Sequence, residues 1–122
     1  MTTHARWGEL TGVSKDKGPY KLAEVSVDGK TMDVMMMDAF GVQSNPHKGA
    51  QVAIFLLDGD EGKAIGFPLP RPKDRIDQQA EGEVTLKNHD AGQSLKLDKD
   101  GNMAHDAKGK ITLTSGGELH LN

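Results

Sequence analysis

Histidine is the residue type in this sequence with the widest range of possible chemistry. The chain contains five histidines and no cysteine. A neutral imidazole binds transition metals, and it also takes part in acid–base chemistry. His4 lies near the N-terminus, His47 lies in the loop-like stretch SNPHKG, and His89 stands beside a turn, so we interpret all three as surface residues. His105 and His120 lie among alternating leucines, and they are the two candidate metal ligands.

His105 belongs to a repeat of eight residues. The repeat has two sets of side chains: Leu95, Met103, Ile111 and Leu119, and Leu97, His105, Leu113 and Leu121. A repeat of this kind indicates short strands separated by turns. If three copies assembled about an axis, three His105 imidazoles would meet there and could hold a metal, an anion or water. A register slip at GNMAHDAKG would point Ala104 inward instead.

Other patterns that could support catalysis are weak. Asp58, Asp60 and Glu61 stand together in DGDEG, but this stretch lacks the full spacing of a Ca²⁺-binding loop and is typical of a hairpin tip. No serine, histidine and aspartate form a recognisable nucleophilic set, and no glycine-rich phosphate loop follows a strand and opens a helix. We therefore expect that the protein is not an enzyme. A small hydrolase is the alternative, and the lack of a paired nucleophile and base disfavours it.

Residues 1–67 predict an all-β region. Short apolar stretches alternate with turns, and Asp28-Gly29 suits a two-residue hairpin turn that needs positive φ. Several short strands joined in this way are typical of a small barrel or sandwich. We expect Phe55, within VAIFLL, in the core. The methionines of Met32–Asp38 would point to both faces of a strand, filling the core with one set, while the other set could pack against a partner.

A linker and a more regular region follow. Pro68, Pro70 and Pro72 mark residues 68–80 as a linker, because proline lacks the N–H that a central strand needs. Residues 81–122 have apolar residues two apart, the period of one strand face. The side chains predicted to face the shared core of a trimer are Val84, Leu86, Leu95, Leu97, Met103, His105, Ile111, Leu113, Leu119 and Leu121.

The second region has too few apolar side chains to form a stable core within one chain. Ordering each residue's backbone costs about 1–2 kcal/mol, whereas each fully buried large aliphatic side chain returns about 1.5–3 kcal/mol. The last stretch, GKITLTSGGELHLN (Gly109–Asn122), predicts a β-hairpin that would leave a bare strand edge. We therefore expect several copies to wrap into a β-prism or an intertwined β-helix, in which a neighbouring chain covers that edge.

Composition limits the class of protein further. Apolar residues make up 35% of the 122 residues and aromatic residues 4%, which is low for a self-sufficient core and favours an oligomer. The formal net charge of −3 argues against a nucleic-acid partner. The stretch MTTHARWGELTG lacks the apolar centre of a signal peptide, and the run VAIFLL is too short to span a membrane, so we expect neither.

The order of these segments resembles the baseplate central spike proteins of contractile-tailed phages, in the Mu-type baseplate assembly protein V family. The resemblance runs from about Asn45 to the C-terminus: NPHKGAQVAIFLLDGDEGKAIGF, then a proline- and arginine-containing linker, then GEVTLKNHDAGQSLKLDKDGNMAHDAKGKITL. It implies an N-terminal OB-fold barrel, a homotrimer, and a C-terminal intertwined β-helix that tapers to a point.

The same resemblance implies a structural function at the baseplate tip of the virion tail. Such a spike plugs the tail tube, contacts tube or baseplate hub proteins, and pierces the host outer membrane when the sheath contracts. Related spikes hold iron near the apex through a His-x-His motif, and the matching stretch here is His120-Leu121-Asn122. The second histidine is absent, and alternation points His120 outward. We assign no cofactor beyond an axial iron or zinc ion as a candidate, at His120 or His105.

The alternative function is that of an OB-fold nucleic-acid-binding protein. Such a protein needs exposed aromatic residues along a basic groove. Residues 1–79 contain 10 Lys and Arg against 11 Asp and Glu, which gives a net charge of −1. We therefore expect other copies of the chain and baseplate proteins as partners, rather than nucleic acid.

Overall fold

The computed structural model describes residues 4–17 and 20–122. Strands hold 43% of the residues and helices 8%, which confirms the all-β prediction. The chain divides into two compact units, Met1–Arg75 and Ile76–Asn122, which we name the first and the second unit. The domain boundaries expected from the sequence, at residues 67 and 80, stay a prediction.

The first unit contains a closed five-stranded barrel. Its strands are β1 (His4–Lys17), β2 (Tyr20–Val27), β3 (Lys30–Met36), β4 (Gln51–Leu56) and β5 (Ala64–Leu69). They follow the order β1-β2-β3-β5-β4 around the barrel, and all neighbours are antiparallel except β3 and β5. Three short 3₁₀ turns lie at Leu57–Gly59, Glu61–Lys63 and Pro72–Asp74. This architecture is consistent with an OB-like barrel.

Turn chemistry explains two of the barrel's connections. The β2–β3 hairpin turns at Asp28 and Gly29, whose φ angles of 50° and 81° are positive, as predicted. Between β4 and β5, the Asp60 carboxylate accepts a hydrogen bond from the Gly62 amide at 2.9 Å and caps the Glu61–Lys63 turn. The acidic stretch DGDEG therefore connects two paired strands, which confirms the hairpin-tip interpretation.

Alternation along the strands fills the barrel. The buried hydrophobic residues are Leu10, Ala23, Val25, Val27, Val34, Met36, Ala50, Val52, Ile54, Leu56 and Ala64. Gly66 of β5 lies at a crowded point: a Cβ atom there would lie 2.7 Å from the Cγ1 atoms of both Val34 and Val52. Glycine is needed at this position because the neighbouring strands leave no room for a side chain.

Two expectations about the barrel interior have different outcomes. Met36 is buried whereas Met35 is half-buried on the outer face, so the methionines of β3 point to both faces as predicted. The core position predicted for Phe55 is wrong, because Ile54 and Leu56 take the inward positions on either side of it. Its ring instead packs edge-to-face against that of Phe67, with 5.9 Å between the centroids.

The second unit contains a three-stranded antiparallel sheet in the order β6-β7-β8. The strands are β6 (Val84–Lys87), β7 (Ser94–Leu97) and β8 (Met103–Asp106). Side chains hold the turns between them. Asp98 accepts hydrogen bonds from the backbone amides of Asp100 and Asn102, and Asn88 caps the preceding turn in the same way.

Residues 107–122, all of which are described, contain no strand. The turn expected at SGG does form: Ser115 Oγ accepts a hydrogen bond from the Gly117 amide and donates one to the Glu118 carbonyl, each at 3.2 Å. The arms on either side do not pair, so the hairpin predicted for Gly109–Asn122 is wrong for a single chain. A lone two-stranded hairpin is marginal in water, and these arms are short.

Candidate functional site

Strand pairing in the second unit gathers apolar residues on one face of the sheet. One cross-strand row consists of Val84, Leu97 and Met103, and the next consists of Leu86, Leu95 and His105. Residues directly opposite each other in a sheet point to the same side. These six side chains therefore share one face, which we name the apolar face.

The other face of the sheet is polar. Its cross-strand rows are Thr85, Lys96 and Ala104, and Lys87, Ser94 and Asp106. The Lys96 ammonium group lies 3.6 Å from the Glu83 carboxylate, and the Thr85 hydroxyl donates a hydrogen bond to the Gln79 side chain at 3.0 Å. A cleft of about 430 Å³ lies against this face and is lined on its other side by residues 76–79. The sheet is thus amphipathic.

Within the second unit, which is described throughout, nothing covers the apolar face. Together with the apolar residues of 107–122, its exposed side chains range from 39% exposed at Leu97 to 85% at Leu121. All buried hydrophobic side chains among the described residues lie between Leu10 and Ala64, in the first unit. The second unit buries no hydrophobic side chain. An exposed apolar surface of this kind marks an interaction site.

His105 lies on the apolar face. It stands opposite Leu95, while Ala104 stands opposite Lys96 on the polar face. His105 therefore lies on the face expected from the eight-residue repeat, although its cross-strand neighbour is Leu95 rather than Leu97, and the slipped alternative does not occur in the sheet. The exposed imidazole makes no hydrogen bond or ion pair within the part of the chain that the structure describes.

His120 has a different environment. Its Nε2 atom lies 2.7 Å from Oε2 of Glu118, and both side chains are largely exposed. Across the described ranges, 4–17 and 20–122, no single chain brings together three His, Cys, Asp or Glu side chains that could hold a metal ion. The metal roles of His105 and His120 stay predictions, and each would need ligands from more than one chain.

His47 lies in a charged cluster of the first unit. Its Nε2 atom lies 3.4 Å from Oδ2 of Asp74, and Arg71 Nε pairs with the same carboxylate oxygen. His47 belongs to the loop before β4, as predicted. The side chain is half-buried, so it is less exposed than the surface position expected for it. The cluster joins this loop to the Pro72–Asp74 turn and thereby extends the first unit beyond β5.

Two carboxylates of the second unit have lowered pKa values. A hydrogen bond from the Ala80 amide, at 2.8 Å, is the main cause of the lowered pKa of Glu83, with Lys96 nearby adding to it. The pKa of Asp98 is lowered chiefly by the hydrogen bond from the Asn102 amide, also at 2.8 Å. Backbone N–H groups at turns favour the charged carboxylate in both cases. The lowered pKa values of Glu83 and Asp98 therefore result from the turns in which these residues lie.

The outside of the barrel carries a second apolar surface. One cross-strand row is Leu22, Met35, Ile65 and Phe55, and the adjacent row is Trp7, Ala53 and Phe67. Trp7 and Phe67 are exposed. Of these rows, only the outward methionine of β3 was predicted from the sequence. The signal for the rows was the apolar runs at the end of β3, Val34–Met36, and through β4, Val52–Leu56, since such runs indicate strand segments that are apolar on both faces.

A loop beside the barrel encloses a further cleft of about 870 Å³. Lys21 of β2 holds this loop, because its ammonium group lies 2.8 Å from the Asp38 carboxylate and also donates to the Ser44 carbonyl. Phe40 and Val42 are exposed on the same loop. The cleft has mixed polar and apolar walls, and the residues described there include no group of three His, Cys, Asp or Glu side chains that could hold a metal ion.

Comparisons with known proteins give no assignment. No protein-family model matches the chain, and no curated protein shows a significant match to it. None of the helices among the described residues has the length and apolar character needed to cross a membrane. The candidate functional site is therefore defined by geometry: an uncovered apolar face that contains a single imidazole.

Proposed function

We propose that this chain is a non-enzymatic spike protein that assembles as a homotrimer at the centre of a contractile phage tail baseplate. In this proposal the first unit is an OB-fold barrel that contacts tail-tube or hub proteins. The second unit forms an intertwined β-helix that plugs the tube and pierces the host outer membrane on sheath contraction. The sequence resemblance to Mu-type spikes suggests this function, and the uncovered apolar face is the observation that carries it.

The free energy of burial favours assembly through the apolar face. A large aliphatic side chain contributes about 1.5–3 kcal/mol when it is fully buried, and the second unit alone buries none of its hydrophobic side chains. Three sheets that turned their apolar faces toward a common axis would bury these side chains together. Their polar faces, with Thr85, Lys87 and Lys96, would remain in water.

The short strands also suit pairing between chains. β6, β7 and β8 have four residues each, and β6 and β8 are the edges of their sheet. Residues 107–122 carry the pairs Ile111/Leu113 and Leu119/Leu121 without a strand partner in the single chain. Pairing of these segments with the edges of neighbouring chains would satisfy backbone groups and cover the exposed edges.

Such an assembly performs its function without a catalytic group. Sheath contraction supplies the force, and the spike must transmit that force without unfolding. Backbone hydrogen bonds between chains and a continuous dry core would resist separation of the three chains. A polar exterior allows the assembly to pass through water on its way to the membrane.

Binding of single-stranded nucleic acid by the barrel is the second candidate function. The exposed rings of Trp7, Tyr20 and Phe67 favour it, since bases stack on exposed aromatic side chains. The net charge of −1 in residues 1–79 opposes it, because a binding groove attracts phosphates with basic residues. Tight binding of single-stranded DNA at physiological salt would support this candidate against the spike.

A denaturing gel of boiled and unboiled samples tests the intertwined assembly. We expect the unboiled protein to migrate as an assembly of three 13.1 kDa chains, because interwoven strands separate slowly in detergent. The boiled sample should migrate as a single chain. A single-chain band in both samples, together with a monomeric mass in native buffer, would contradict the proposed function.

A further inference from the structure

One position on the apolar face does not follow the chemistry of its neighbours. Among the residues predicted to face the trimer core, only His105 is polar. Burial of a polar side chain without a hydrogen bond or a bound ion costs free energy. A leucine at this position would continue the apolar row at no such cost. An imidazole in this row therefore requires a partner once the face is covered.

A single chain does not provide that partner. The cross-strand neighbour of His105 is Leu95, and the closest charged side chain on its own strand, Asp106, lies on the polar face. Asp106 is already engaged by Lys108, with 3.1 Å between the carboxylate and the ammonium group. Within the ranges that the structure describes, no hydrogen bond or ion pair reaches the His105 ring. The partner must come from outside the chain.

We propose that His105 forms a metal site shared by three copies of the chain, in which three imidazoles bind one divalent transition-metal ion on the assembly axis. This inference rests on the proposed homotrimer. A threefold axis brings identical atoms together, and three imidazoles with one water complete the tetrahedral coordination that Zn²⁺ prefers. Imidazole nitrogen selects ions such as Zn²⁺, whereas Ca²⁺ and Mg²⁺ require oxygen ligands.

The structure distinguishes His105 from His120 as the ligand. In the single chain, the Nε2 atom of His120 lies against the Glu118 carboxylate at 2.7 Å, and alternation points this ring away from the predicted trimer core. His105 stands in a row with Leu86 and Leu95, and a covered apolar environment excludes competing water from a bound ion. The site is therefore assigned to His105.

Zinc loading of tag-free protein tests the site. The wild type, His105→Leu and His120→Asn are stripped with EDTA, incubated with ZnCl₂ and dialysed. Zinc is then measured by elemental analysis and the mass by light scattering. We expect one Zn²⁺ per three chains in the wild type and in His120→Asn, and loss of zinc to the buffer level in His105→Leu. The His105→Leu protein should remain trimeric because leucine continues the apolar row.

Thermal unfolding supplies an independent readout. A metal that binds only the folded assembly raises the melting temperature, so ZnCl₂ should raise it for the wild type and leave it unchanged for His105→Leu. CaCl₂ should have no such effect. A trimeric wild type that binds no zinc, or a His105→Leu protein that keeps its zinc, would overturn the shared site and leave the proposed function intact. A monomeric wild type would overturn both.

Discussion

Gly66 is a residue on which close packing of the barrel depends directly. In β5 it pairs with Ile54 of β4 on one side and with Met36 of β3 on the other. Its Cα hydrogen occupies the place where a side chain would meet Val34 and Val52. Native interiors are packed as densely as organic crystals, so even one methyl group is felt at such a point.

Replacing Gly66 with alanine should lower the free energy of unfolding of the barrel by about 1–3 kcal/mol, the usual cost of overpacking. Denaturant unfolding followed by the fluorescence of Trp7, the single tryptophan, measures the change. Gly109→Ala is the control, because a Cβ atom there has no neighbour within 4 Å, and it should have a much smaller effect. Equal stability of the Gly66→Ala and wild-type proteins would mean that the interior has room for the methyl group.

Single residues differ in how far the sequence predicts them. The eight-residue repeat predicts that His105 shares a face with Leu97, and the sheet has this arrangement, but the repeat does not predict that Leu95 is the residue opposite His105. The outward position of Phe55 does not follow from the pattern, since VAIFLL has no polar residue to mark a face. Only the pairing of β4 with both neighbours decides which of its residues point inward.

At the scale of elements, the sheet β6-β7-β8 forms in one chain whereas the last segment does not. The sheet has two turns closed by Asn88 and Asp98, each of which binds backbone amides. Residues 107–122 have one such turn, at Ser115, and two arms that do not pair. The local turn chemistry is therefore predictable from the sequence. Pairing of the arms depends on contacts that a single chain does not supply.

Leu113→Asp should prevent assembly and leave the barrel folded. The substitution would place three carboxylates near the axis, where desolvation and like charge both oppose their ionisation. Thr114→Asp is the matched control, since it adds the same charge at a neighbouring position outside the predicted trimer core. Light scattering gives the mass of each variant, and Trp7 fluorescence reports the barrel. A normal trimer from Leu113→Asp would show that Leu113 does not face the axis.

At the scale of the whole molecule, the two units bury apolar surface in different ways. The first unit has a core of its own, whereas the second has an amphipathic sheet and no buried hydrophobic side chain. The low apolar content of the chain reflects this difference, because only part of the sequence must fill an interior. Stable structure throughout the second unit is therefore expected to depend on assembly and on protein concentration.

The sequence predicts the all-β class and the turns that divide the chain, since both depend on local alternation and on turn residues. Closure of the barrel through β1 and β4 joins segments about fifty residues apart along the chain, and no local pattern specifies that pairing. Apart from the outward methionine of β3, the apolar rows outside the barrel escaped prediction for a related reason. Closure of the barrel decides which face of each strand lies on the outside.

The mass of the wild-type protein in native buffer tests the central claim most directly. Light scattering coupled to gel filtration, over a range of protein concentrations, should give three times the chain mass of 13.1 kDa. This result is predicted because the second unit can bury its apolar face only against other copies. A folded protein with the mass of one chain at every concentration would contradict the account.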